Sequence, residues 1–187
     1  FSFEVIGQTL DDAIGEAYDK AGRVLHLPYP GGPVIDKMAA SGQHTYDLPL
    51  PLNDDSYNFS FSGLKSAVIN LCHNAAQRGE DIVPADLACS FQEVALDVLV
   101  SKTIKAAKDY QVKEIIVAGG VSANRGLRKK LTADSPIKVL FPPMAYCTDN
   151  AAMIASAARV MYEHQQFSSL DLSVKPSYDL EEESIGE

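Results

Sequence analysis

The sequence predicts an α/β fold built on a parallel sheet with helices over both of its faces. Three observations carry that prediction. The runs Ile115-Ile116-Val117-Ala118 and Val139-Leu140-Phe141 are short and wholly apolar, without the alternation of a strand that has one face in water. Such runs suit parallel strands buried on both sides. Each is followed by a turn, Gly119-Gly120 after the first and Pro142-Pro143 after the second, and then by a stretch of helical periodicity. Strand, turn and helix in tandem form the crossover pattern of a parallel sheet.

Taken in order, residues 1–7 read as a strand, because Phe1, Phe3 and Val5 alternate with Ser2 and Glu4. A chain that opens in mid-strand, with neither an initiator Met nor a basic leader, is expected to derive from a longer one and not to carry a signal peptide. Thr9-Leu10-Asp11-Asp12 has the Ser/Thr-x-x-acid form of a helix start. The helix it opens is expected to reach about Leu25. Its apolar stripe is Ile14, Ala17, Tyr18, Ala21 and Leu25, with Asp12, Glu16, Asp19 and Arg23 on the opposite side.

The string Pro28-Tyr29-Pro30-Gly31-Gly32-Pro33 breaks the chain before a short helix through Ile35 and Met38. Residues 41–55, with Pro49 and Pro51, are expected to be irregular. Residues 58–61 are strand-like and lead into a helix that begins at Ser62-Gly63-Leu64-Lys65. A long helix is expected from Pro84, a favourable first-turn residue, to Tyr110, burying Leu87, Phe91, Val94, Val98 and Ile104. Further helices follow from about Ala123 and from about Asp149 to His164. An edge strand is expected over 168–174, and a flexible tail over 175–187 that is acidic from Glu181 onward.

The 187 residues are 46% hydrophobic and 22% charged, enough for one sizeable core. No apolar run is long enough to span a bilayer, so no membrane is expected. Cys72, Cys89 and Cys147 lack the spacing of a disulfide frame or a zinc knuckle, which points to a reducing, cytoplasmic setting. The net charge of −9 excludes a free-standing nucleic-acid binder, whose affinity comes largely from phosphate contacts. A nucleic-acid substrate needs positive surface supplied by other segments or subunits.

Ligands of open parallel sheets collect at the carboxyl ends of the strands. One such place is Gly119-Gly120-Val121-Ser122-Ala123-Asn124, where Asn124 is placed to hydrogen-bond a ribose or base. A tight turn with Ser122 as helix cap fits the same residues. A second is Cys147-Thr148-Asp149-Asn150. Asp149 either complements a helix dipole in the first turn or turns its carboxylate into the cleft as a metal ligand. Ala151, Ala152 and Ala155 behind it are small enough to seat that helix tightly on the sheet. Cys147 reads as a buried small hydrophobe, with a thiolate ligand as the alternative. The third place is the acidic side of the first helix, with Asp12, Glu16 and Asp19. It is either a solvated face or a carboxylate accepting ribose hydroxyls.

Four strings together resemble one family. They are Thr9-Leu10-Asp11-Asp12-Ala13-Ile14-Gly15-Glu16-Ala17-Tyr18-Asp19-Lys20 with Tyr29-Pro30-Gly31-Gly32-Pro33, then Phe59-Ser60-Phe61-Ser62-Gly63-Leu64-Lys65, then Ala118 to Asn124, then Cys147 to Ile154. In this order and spacing they resemble the C-terminal half of the TsaD-type tRNA threonylcarbamoyl-adenosine transferases, formerly the glycoprotease or O-sialoglycoprotein endopeptidase family. The resemblance implies an actin/Hsp70/sugar-kinase-like (ASKHA) lobe: a parallel-rich sheet covered by helices, plus a helical insertion. Residues 1–187 are then the C-terminal lobe, with the insertion over about 26–110, a strand–helix nucleotide-binding core over about 111–165 and no N-terminal lobe.

The resemblance also implies an activity. The family moves the threonylcarbamoyl group from threonylcarbamoyl-adenylate to the adenosine beside the anticodon of tRNA, with AMP leaving. Asp19, Gly32, Asp36 and Asn124 match positions that hold the adenylate, ATP or AMP. Asp149 matches the acidic ligand of a divalent metal, iron or zinc, which with backbone donors polarises the carbonyl under attack. The implied partners are tRNA, a paralogue of the same fold in a heterodimer, an ATPase subunit and an upstream enzyme that makes the adenylate.

One departure from the family stands out. Its other metal ligands form a His-x-x-x-His pair, whereas His26, His44, His73 and His164 include no two residues four apart. A lone carboxylate does not hold a transition metal tightly, so the chain alone is expected to be inactive and to bind metal weakly or not at all. Self-association through faces normally covered is expected. A metalloprotease is excluded by the lack of an HExxH helix. The remaining alternatives are a small-molecule kinase of the same superfold and a non-catalytic scaffold paralogue.

Overall fold

The structure is a computed structural model that describes residues 3–173. It contains six α-helices and a small parallel sheet. Helix α1 spans Ile14–Val24, α2 Gly31–Ala39, α3 Ser62–Arg78 and α4 Pro84–Asp109. Strand β1 (Glu114–Ile116) is followed by α5 (Arg125–Asp134), β2 (Lys138–Leu140) and α6 (Ala151–Glu163). Among the described residues no helix is long and apolar enough to cross a membrane.

Helices α1 to α4 pack around one core. Ala17, Tyr18 and Ala21 of the predicted α1 stripe are buried, and Ile35 from α2, Leu64 and Val68 from α3, and Leu87 and Phe91 from α4 meet them. Tyr18 and Phe91 stand edge to face with ring centres 5.1 Å apart, a favoured aromatic geometry. Helix α4 also serves a second, smaller core. Its Leu96 and Val100 join Leu127 and Leu131 of α5 under the sheet. The long helix runs from Pro84 as expected, and its 26 residues are what let it reach both cores.

The close crossing of α1 and α2 depends on Gly31. A Cβ there lies 2.9 Å from the Tyr18 carbonyl oxygen and 3.1 Å from the Asp19 Cα, both backbone atoms that cannot step aside.

The strands pair in parallel with Ile115 opposite Val139 and Ile116 opposite Leu140. The period-2 rule then puts Ile115 and Val139 on one face and Ile116 and Leu140 on the other. The first face is covered: Ile115 is buried, and Val117, Val139 and Phe141 pack against the second core. The other face is open, with Ile116 75% exposed. The expected cover on both faces is therefore corrected to cover on one. Helix α6, predicted to sit tightly on the sheet, buries none of its residues, and Ala151, Ala152 and Ala155 are exposed. Two paired strands offer α6 too little apolar surface to dock on.

Other expectations are corrected as well. Residues 3–7 form no strand, Phe1 and Ser2 lie outside the described residues, and a single parallel bridge joins Thr9 to Phe59. The alternation is present, but a strand needs a ladder of consecutive pairs and not the alternation alone. The strand-like 58–61 is likewise reduced to that bridge. Thr9 does not cap α1. Its Oγ1 donates to the Asp12 carbonyl at 2.8 Å, closing a turn, and α1 starts later with Ala13 as an uncapped N-cap. Residues 168–173 form a turn with no strand; Val174 and the tail over 175–187 lie outside the described residues.

Candidate functional site

Two of the acidic residues predicted as ligands, Asp19 and Asp36, are first of all helix caps. A helix leaves its first amides unpaired, and a carboxylate satisfies them while matching the positive end of the dipole. Here that carboxylate repeatedly comes from another element. Helix α2 starts after Pro30, which has no capping side chain, and Asp19 of α1 takes over the role. Its Oδ1 accepts from the Gly31 amide at 2.7 Å and, longer, from the Gly32 amide at 3.4 Å.

Asp36 of α2 passes the pattern on. Its Oδ2 accepts from the Arg125 amide at 3.0 Å and its Oδ1 from the Gly126 amide at 3.1 Å, so both oxygens hold the start of α5. Asp11 does the same for α3. It accepts from the Phe61 amide at 2.8 Å, the Ser62 amide at 3.3 Å and the hydroxyls of Ser60 and Ser62. Partial desolvation pushes the Asp11 carboxyl up, but these hydrogen bonds outweigh it and hold it well below the usual carboxylate range.

Asn124 completes the corner. It follows β1 by way of Gly119, whose φ of +83° only glycine adopts readily, and a 3-10 turn over Gly120–Ala123. Asn124, and not Ser122, is the N-cap of α5: its Oδ1 accepts from the Leu127 amide at 2.7 Å. Its Nδ2 donates to Gln92 Oε1 at 3.0 Å and, weakly, to the Tyr18 hydroxyl at 3.4 Å. The Tyr18 hydroxyl donates in turn to Gln92 Oε1 at 3.1 Å. Burial, with the charge of Asp36 behind it, pushes the Tyr18 phenol far above its ordinary value, so it stays a neutral donor.

The chain thus brings Asp19, Gly32, Asp36 and Asn124 together around the N-termini of α2 and α5. Asp149 stands apart: it is exposed and precedes Asn150, whose Oδ1 caps α6 through the Met153 amide at 3.2 Å. It lies outside the first helical turn where the sequence put it. Among the described residues no group of three or more His, Cys, Asp or Glu is arranged to hold a metal. One exposed carboxylate does not fit a transition-metal site.

Sequence reasoning missed Gln92 and Asp11. Gln92 had a signal, since it lies four residues from Ala88 and from Leu96, both buried, and so shares their face. A groove of about 670 Å³ between α4, α5 and the irregular loop after α2 shares no residue with the corner. Its three lysines are matched by three aspartates, which leaves no charge to select a ligand.

Two HypF structures define the class of fold. Full-length HypF in its phosphate- and nucleotide-bound form superposes with a TM-score of 0.57 at 15% identity over 84% of this chain and 21% of that one. HypF of T. kodakarensis gives 0.54 at 19% identity over 83% of this chain and 20% of that one. At such identities the likeness concerns the α/β fold alone. The family is fixed by sequence: the chain belongs to TsaD, the tRNA N6-adenosine threonylcarbamoyltransferases, whose family model matches residues 1–156. The Bacillus cereus protein of that name is 56% identical over 185 residues, covering 96% of this chain and 54% of its own length. That of Bacillus subtilis is 55% identical over 184 residues, covering 96% of this chain and 53% of its own. The chain therefore spans about half the length of the curated relatives it matches.

Proposed function

We propose that this chain is part of an enzyme that transfers the threonylcarbamoyl group from threonylcarbamoyl-adenylate to the amino group of the adenosine beside the anticodon of tRNA. Family membership over residues 1–156, joined to the convergence of Asp19, Gly32, Asp36 and Asn124, is the observation that supports it. The chemistry assigned to this chain is the holding of the nucleotide. Asp19 uses Oδ1 for the α2 amides and offers Oδ2 to a ribose hydroxyl. Asp36 and Asn124 hold the start of α5 against the same corner. The adenosine amine attacks the threonylcarbamoyl carbonyl carbon, the bond from that carbon to the phosphate oxygen breaks, and AMP leaves with the electron pair.

In this reading the chain is the C-terminal lobe of a two-lobed actin/Hsp70/sugar-kinase-like protein. Residues 26–110 are its helical insertion and 111–165 its nucleotide-binding core. The setting is the cytoplasm, and the partners are tRNA, a paralogue of the same fold and an ATPase subunit. Asp149 enters only as a single carboxylate toward a metal, iron or zinc, that needs further ligands.

The test is transfer itself. A protein of full family length is incubated with its partners, unmodified tRNA and threonylcarbamoyl-adenylate, and the tRNA nucleosides are analysed by mass spectrometry. The modified adenosine is expected with the full-length protein and not with the 187-residue chain alone. No product from the full-length protein, or phosphorylation of a small molecule in its place, contradicts the proposal.

A further inference from the structure

The loops at the carboxyl ends of β1 and β2 carry Asn124 and Asp149, and one side chain spans them. Arg128, in the first turn of α5, sends Nε to the Ser122 carbonyl at 2.6 Å, on the loop after β1. Its Nη2 donates to the Pro142 carbonyl at 2.6 Å and to Cys147 Sγ at 3.3 Å, both on the loop after β2. The guanidinium also lies over the Phe141 ring, 4.9 Å from its centre. Among the described residues, Asn150 of the 142–150 loop caps the helix that follows it, and the hydrogen bonds that tie this loop back to the α5 side of the fold come from Arg128. Met144, Tyr146 and Asp149 of that loop are exposed, and Cys147, 3% exposed, is its buried anchor.

We infer that Arg128 is a positioning residue, which sets the distance between the Asn124 and Asp149 loops by bridging them with one planar fork. The inference rests on the proposed transferase reading for its effect on activity. The geometry itself stands apart from that reading. Two carbonyls and a thiol on separate loops match the fixed directions of a guanidinium, which a lysine ammonium cannot reproduce from one place. Charged-donor bonds of this length are strong enough to hold an otherwise exposed loop. Ser122, two residues before Asn124, and Cys147, two residues before Asp149, are the points of attachment.

The experiment has two arms and uses Arg128→Ala and Arg128→Lys. On the 187-residue chain, the rate at which a thiol reagent modifies Cys147 is followed, with Cys72 and Cys89 as internal references. Arg128→Ala should speed modification of Cys147 by about tenfold, the size of one lost charged-donor hydrogen bond. Added guanidinium should restore protection, and Arg128→Lys should restore it only in part. In the full-length protein Arg128→Ala should lower kcat for transfer about a hundredfold with KM little changed, again rescued by guanidinium.

Unchanged protection of Cys147 in Arg128→Ala overturns the bridge. Faster modification of all three cysteines alike also overturns it, since that is general unfolding. If protection is lost but kcat holds, the positioning role falls while the bridge stands. If the wild-type protein transfers nothing, the functional reading fails and the Cys147 arm still decides the bridge.

Discussion

Replacing Asn124 by alanine removes two strong interactions of different kinds from one buried side chain, together with its weak 3.4 Å hydrogen bond to the Tyr18 hydroxyl. The first is the α5 cap, Oδ1 to the Leu127 amide at 2.7 Å, and losing an Asn cap costs about 1 kcal/mol. The second is the Nδ2 donor to Gln92 Oε1 at 3.0 Å, worth about 1 kcal/mol net. The acceptor is not orphaned, because the Tyr18 hydroxyl still donates to it, so no further desolvation penalty applies. Asn124→Ser keeps a capping oxygen and loses only the amide donor. In a chain of this size each kcal/mol moves the midpoint by roughly 2–4 °C. Thermal unfolding followed by circular dichroism should therefore show a fall of about 4–8 °C for Asn124→Ala and about half that for Asn124→Ser. Equal falls in the two variants refute the cap, and an unchanged midpoint in Asn124→Ala refutes the whole account of this corner.

Three further outcomes follow from the same geometry. Gly31→Ala forces a Cβ against the Tyr18 and Asp19 backbone and should destabilise the chain by about 1–3 kcal/mol, read as a lower urea midpoint. Asp36→Ala uncaps α5 from outside, so amide exchange at Arg125 and Gly126 should quicken while α3 is unaffected. Asp11 has a depressed pKa in the folded state, so its stabilisation is complete above the ordinary carboxylate value and is lost as pH falls below about 4. Asp11→Asn should be less stable than wild type at neutral pH, and the two stability curves should converge in acid.

Much of the helical layout was legible because it is local. The long helix was placed from Pro84 to Tyr110 and is observed over Pro84–Asp109, since a first-turn proline and an apolar stripe are properties of consecutive residues. The α1 stripe was legible for the same reason. The sheet was less so. Ile115-Ile116-Val117 looks buried on both faces from composition, but whether Ile116 is covered depends on where α6 goes, which no local pattern records. The caps supplied from outside were the least legible of all. Asp11 and Ser60 are 49 residues apart, and Asp36 and Arg125 are 89 apart, so a carboxylate on a helix face reads as solvated until the second helix start is in place. Asn124 and Asp19 were legible as candidates from the glycine turn and the acidic helix side, whereas Gly32 and Asp36 came from the family resemblance; that the four meet at one corner is a product of the fold.

The claim that this corner holds a nucleotide is tested most directly by titrating AMP into the labelled 187-residue chain and following its amide resonances. Shifts are expected to centre on Gly31, Gly32 and the amides of Asn124, Arg125 and Gly126, and to be abolished in Asp19→Asn without loss of folded structure. Shifts confined to the groove between α4 and α5, or identical shifts in Asp19→Asn, would contradict it.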